Sequence, residues 1–230
     1  MPPGGPRSLL SVTIRRSLVM GRTYLLLGTG LAVLIGSTLS LAGNGAGATA
    51  LPLFLPVFTV QGALGGMMVF SNDRTKGVLE YLMAYGVPPR RIFGNALVAS
   101  LALVSIVLLG SVSAFLGELA FVGGGVSSTL LQDLLGYAVP MSYATVAFAA
   151  TLGMVWSSLS SPRAGINSPV GMIPILGIAP PLATLAAFAA APADTGYILA
   201  GALALIVAAV LAMVAGVDRL MARERLLSPA

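Results

Sequence analysis

Proton transfer, nucleophilic attack and metal ligation draw on a small set of side chains, and this sequence is poor in them. It holds no histidine and no cysteine, a single lysine at Lys76, and seven carboxylates. Imidazole and thiolate metal sites, haem or iron–sulfur ligation, disulfides and every nucleophile that needs a histidine base are thereby excluded. Lys76 does not sit in a glycine-rich loop ending in Gly-Lys-Ser/Thr, so the chain has no phosphate-cradling loop of that kind. Glu118, Asp133 and Asp194 stand isolated from one another, whereas phosphotransfer or prenyl transfer needs clustered carboxylates to hold metal ions. The sequence reads as one with no catalytic centre, no metal site and no cofactor of its own.

What remains is apolar. Of 230 residues, 57% are hydrophobic and 8% charged, with a mean hydropathy of +0.97, whereas soluble domains carry about a quarter charged residues. This composition predicts an integral membrane protein. A helix needs about 20 apolar residues to cross a hydrocarbon core of roughly 30 Å, and six runs qualify: 24–42, 51–70, 95–117, 134–156, 170–190 and 196–217. They occupy more than half the chain and leave connections too short to fold separately. The expected architecture is a single all-α membrane domain. A barrel is disfavoured because its strands would show short alternating patterns.

The charges orient these spans. Arg7, Arg15, Arg16 and Arg22 precede the first, Arg74, Lys76, Arg90 and Arg91 lie between the second and third, Arg163 between the fourth and fifth, and Arg219, Arg223 and Arg225 after the sixth. With six spans all four segments face one side, which the excess of basic residues marks as cytoplasmic. Both termini are expected there, in a multi-pass protein of the cell membrane. The net charge of +5 then reflects topology and contact with anionic lipid headgroups, not nucleic-acid binding. The Arg15-Arg16 pair, the apolar stretch after it and the small residues at 43–50 resemble a cleavable leader. Cleavage would leave five spans and divide the basic segments between two sides, so 24–42 is read as an uncleaved first span.

Residues 6–21, PRSLLSVTIRRSLVMG, space Leu10, Ile14 and Leu18 by four, with Ser8, Ser11 and Arg15 on another face. An amphipathic interfacial helix is expected over 6–23, serving to anchor the first span or to touch a partner subunit. The loop at 71–93 is more informative. Ser71, Asn72 and Asp73 suit a helix N-terminus, and Gly86 with Pro88-Pro89 ends the segment sharply. Val78, Leu82 and Tyr85 form one face with Leu79 and Met83 beside it, whereas Arg74 and Lys76 remain polar. Such a stripe must press on something: the protein's own helix ends, the headgroups, or a groove on another protein.

This stretch resembles the signature of the ABC-2 type transport permeases, the membrane subunits of a class of ATP-binding-cassette transporters. The matching residues are Asp73, Arg74, Gly77, Val78, Leu79, Glu80, Leu82, Met83, Ala84, Gly86, Val87, Arg90 and Arg91. The arrangement of basic amphipathic start, six spans and small outer loops is similar as well. Val78 departs where threonine is common, and Asn95 where lysine is frequent. The resemblance implies that the 71–93 loop is a coupling helix docking into a separate ATPase subunit, which binds ATP and magnesium, while a dimer of permease chains, expected as a homodimer, forms an export path. Arg74, Glu80 and Arg90 would then orient the contact by charge, and Leu79, Leu82 and Met83 would supply its buried area. A drug, lipid or lipid-linked molecule would suit the apolar spans as cargo. The alternative from another class is a membrane scaffold or assembly factor.

No Asp, Glu, Lys or Arg falls inside the six spans, an arrangement that suits an external energy source better than ion-driven transport. Gln61 is read as a helix-to-helix hydrogen bond or a substrate contact. Gly62 and Gly66 form a small-xxx-small pair for internal packing or for a dimer contact. Pro174, Pro180 and Pro181 kink the fifth span, which with the second is expected to line a path.

Overall fold

A computed structural model describes residues 6–41, 46–121, 128–159 and 173–227, and among them every regular element is a helix. Nine α-helices follow in order: α1 (Pro6–Leu41), α2 (Ala46–Thr59), α3 (Gln61–Thr75), α4 (Val78–Ala84), α5 (Pro89–Phe121), α6 (Ser128–Asp133), α7 (Val139–Leu159), α8 (Ile173–Ala190) and α9 (Thr195–Leu227). Four stretches are long and apolar enough to cross a membrane: Pro52–Thr75, Pro89–Gly117, Ser128–Leu159 and Thr195–Arg219. They coincide with the expected second, third, fourth and sixth spans. The expected first span forms the C-terminal half of α1. The expected fifth corresponds to α8, whose apolar segment Leu176–Ala190 is shorter than a crossing helix among the described residues.

The interfacial helix expected over 6–23 is not a separate element. α1 runs unbroken for 36 residues, about 54 Å at 1.5 Å per residue, because nothing between Gly21 and Tyr24 interrupts its hydrogen-bond ladder. Gly21 instead lets α1 approach α3, where a Cβ would meet the Gly65 Cα at 3.1 Å. α1 lies against α2, α3 and α5, and α7 against α3, α5, α8 and α9. The core between them is built from Leu55, Val60, Phe70, Phe93, Met141 and Met154 among others, each 1% exposed or less.

Proline shapes the spans. The second breaks at Val60 after Pro52 and Pro56. A single π turn, Leu134–Ala138, precedes Pro140, which lacks an N–H and would crowd the Gly136 carbonyl in a regular helix. In α8, Pro180 and Pro181 are absorbed within the helix, with the Thr184 hydroxyl donating to the Pro180 carbonyl at 2.9 Å. The absence of a side chain at Gly177 lets α8 close on the break at Val60, since a Cβ there would stand 3.1 Å from Val60 Cγ1 and 2.7 Å from Ala149 Cβ. The break of the second span and the small face of α8 therefore pack together around a fully buried Val60.

Candidate functional site: the α3–α4–α5 hairpin

The hairpin is defined by its stops. α3 continues through Ser71, Asn72 and Asp73 to Thr75, so those residues are the end of one helix and not the start of the next. The break falls at Gly77, whose φ of +70° only glycine adopts readily, and whose N–H donates to the Arg74 carbonyl at 3.0 Å. α4 then makes two turns and ends in a paired cap: Gly86 N–H donates to the Met83 carbonyl at 3.0 Å and Val87 N–H to the Leu82 carbonyl at 3.1 Å. With Gly86 at φ +81° this is a Schellman motif. Pro89 opens α5 at a position where a missing N–H is harmless. At the base, Phe70 and Phe93 meet edge to face at 5.9 Å between ring centroids.

Two ion pairs tie the hairpin to helices far away in sequence. Arg16 of α1 holds Asp73 through both terminal nitrogens, Nη1 to Oδ2 at 2.9 Å. Arg90 Nε, at the start of α5, pairs with Asp218 Oδ2 near the end of α9. Together they gather three of the four basic segments at one end of the bundle; Arg163 of the fourth lies outside the described residues. Beside the Arg16–Asp73 pair lies a cavity of about 130 Å³ between α1, α3, α4 and α5, lined by Thr13, Leu79, Leu82 and Asn95 among others. The Asn95 Nδ2 is buried there without a hydrogen-bond partner.

The residues singled out from the sequence divide sharply. Leu79 is 2% exposed, Val78 lines the cavity, and Leu82 and Met83 pack against the core. Of the stripe expected to supply contact area to a partner, Leu79 is covered by the protein's own helix ends and Val78, Leu82 and Met83 are partly covered, because α4 folds back over the junction of α1, α3 and α5. Asp73 is buried against Arg16, whereas Arg90 pairs with Asp218 at the surface, its side chain 61% exposed. Arg74 is half-buried, and Glu80 and Arg91 are exposed. Tyr85, grouped with the apolar stripe by its spacing, is 72% exposed, since it caps the helix beyond the last internally packed turn. Its ring lies 4.5 Å from that of Tyr81, itself 61% exposed. The hydrogen bond between the two phenols, with slight desolvation, pushes the Tyr81 hydroxyl above its ordinary pKa.

The residues expected along a path lie in different surroundings. Gln61 is half-buried and packs its Cβ and Cγ beside Gly28 of α1. Pro181 is buried. Pro180 borders a cleft of about 450 Å³ between α8 and α9, together with Thr184 and Tyr197. Pro174 lies in the first turn of α8, and its side chain is outside the described residues. Gly66 packs internally: a Cβ there would collide with the Ala96 carbonyl and the Ser100 hydroxyl of α5. Gly62 lies one turn earlier in α3.

Among the described residues no group of His, Cys, Asp or Glu is placed to hold a metal ion. The partners Arg16 and Asp218 were not singled out, since a pairing across 57 residues leaves no trace in local spacing. Among the described residues the fold is all-helical, with four stretches long and apolar enough to cross a membrane and a hairpin tied by ion pairs across one end. No known family model, no curated protein and no solved structure matches the chain.

Proposed function

We propose that this chain is the membrane subunit of an ATP-driven exporter, with six spans and both termini cytoplasmic in the cell membrane, working as a homodimer. A separate ATPase, which supplies ATP and magnesium, docks on the 71–93 hairpin. The observation that carries this reading is the hairpin itself: a short helix stopped by two left-handed glycines, fastened to α1 and α9 by ion pairs, and bearing the residues that resemble the ABC-2 permease signature. Such an element moves as a unit, so a displacement imposed on it passes to the membrane helices. The charged residues of the four crossing stretches lie near their ends, which supports energy drawn from a partner and not from ions crossing the bundle. A hydrophobic or amphipathic cargo fits the apolar helices.

The test is affinity purification of the tagged chain from its native membrane in mild detergent. A near-equimolar ATP-binding-cassette ATPase is the expected result. Its repeated absence from a preparation that keeps the chain folded would replace the exporter with a membrane scaffold.

A further inference from the structure

The covering of the aliphatic stripe leaves α4 with a second, outward face that the spacing of its residues does not advertise. Glu80, Tyr81, Ala84 and Tyr85 are all exposed, and the two tyrosine rings stand together at 4.5 Å. We infer that this outward face, and not the Leu79–Leu82–Met83 stripe, is the surface that enters the ATPase subunit, in a groove with an apolar floor and an acidic rim. The inference rests on the exporter reading and specifies which side chains make its contact.

Three observations select this occupant. First, a helix that lies on a bilayer turns its aliphatic side to the lipid, whereas α4 turns Leu79, Leu82 and Met83 onto its own core. Second, Glu80 stands within the exposed face, where a protein groove can offer its carboxylate a donor. Third, the face is bordered by exposed Lys76 and Arg91, which complement acidic residues on a groove's rim and speed encounter. Tyrosines add to this a large contact area at low entropic cost and are enriched where interfaces concentrate their energy. The glycine stops at both ends of α4 mean that little ordering remains to be done on binding.

The full-length chain in its native membrane, carrying p-benzoylphenylalanine at one position at a time, tests the assignment. At Tyr81 or Tyr85, irradiation is expected to yield a covalent adduct with an ATP-hydrolysing cassette protein; at Leu79 or Leu82 it is expected to yield none. Tyr81→Ala with Tyr85→Ala should lower ATPase capture by roughly tenfold or more while leaving membrane insertion and thermal stability unchanged, and Tyr81→Phe with Tyr85→Phe should retain most of it. Undiminished capture by the alanine pair, or adducts from Leu79 and Leu82 in place of the tyrosines, overturns the assignment of the face but leaves the exporter standing. Adducts with lipid alone, from preparations in which the ATPase still co-purifies, assign the face to the bilayer and overturn the inference as well. Failure of any ATPase to co-purify overturns the exporter reading and this inference with it.

Discussion

Arg16 and Asp73 meet as a two-pronged ion pair, guanidinium to carboxylate, between the N-terminal third of α1 and the last turn of α3. The Asp73 side chain is 10% exposed and that of Arg16 36%, so the carboxylate is nearly removed from water and is compensated by the guanidinium. Removing Arg16 leaves that carboxylate buried without compensation, and neutralising Asp73 leaves a half-exposed guanidinium without its carboxylate. Arg16→Ala or Asp73→Asn is expected to destabilise the chain by about 2–3 kcal/mol, below the roughly 3–5 kcal/mol of a fully buried pair because Arg16 retains solvent contact. Arg16→Asp with Asp73→Arg should recover part of the loss. Thermal unfolding in detergent reads all three; single variants as stable as the parent would show the pair to be dispensable.

The two faces of α4 should respond differently to truncation. Leu79→Ala removes a fully buried side chain beside an existing cavity, and a loss of about 2–4 kcal/mol is expected. Leu82→Asp and Met83→Asp should also loosen the hairpin, since a carboxylate would be forced against the core. Surface truncation at Tyr81 or Tyr85 should stay within about 0.5 kcal/mol. Limited proteolysis between residues 74 and 91, compared across these variants, distinguishes inward from outward directly. Equal protection of all of them would contradict the orientation of the helix.

Much of the hairpin was legible in the sequence, and the part that was not shares one physical cause. Gly86 with Pro88-Pro89 announced a stop through backbone rules that act within a few residues, and the structure places the cap at Gly86, while α5 opens at Pro89, ahead of the span expected from residue 95. The beginning of α4 was misplaced because Ser71, Asn72 and Asp73 have the side chains of an N-terminus. Asp73 is spent on Arg16, and α3 keeps its helical path through all three. Likewise, spacing showed that Val78, Leu79, Leu82 and Met83 share a face but not what the face meets. That depends on α1 and α5 arriving over the hairpin, which is a long-range fact. The same limit applies to α1, where amphipathicity between Leu10 and Leu18 did not reveal that the helix would run on to Leu41.

Gly86 isolates the contribution of backbone conformation. Nothing lies within 4 Å of a Cβ added there, yet φ is +81°. Gly86→Ala is therefore expected to cost about 1–2 kcal/mol from the left-handed conformation alone, with Gly86→Asn costing less because asparagine tolerates it. Gly66→Ala should be worse than either, since its Cβ would strike the Ala96 backbone and push α3 away from α5. Melting temperatures that rank Gly66→Ala above Gly86→Ala in stability would contradict this account.

The absence of cysteine from the chain turns topology into a clean measurement, because any introduced thiol is the only one present. Lys76 precedes α5 and Asp194 follows α8, and both are exposed. Between them lie two of the four long apolar stretches, Pro89–Gly117 and Ser128–Leu159, and then α8, which is 18 residues long. At 1.5 Å per residue α8 spans about 27 Å, close to the roughly 30 Å of hydrocarbon that it must cover. If α8 crosses, three passages separate the two positions and they face opposite sides; if it does not, two passages return them to the same side. An impermeant maleimide applied to intact cells should therefore label Asp194→Cys at once and Lys76→Cys only after permeabilisation. Labelling of both from outside would place the hairpin where no ATPase reaches it. Protection of both would reduce the bundle to an even number of crossings between them and remove α8 from the membrane-spanning set.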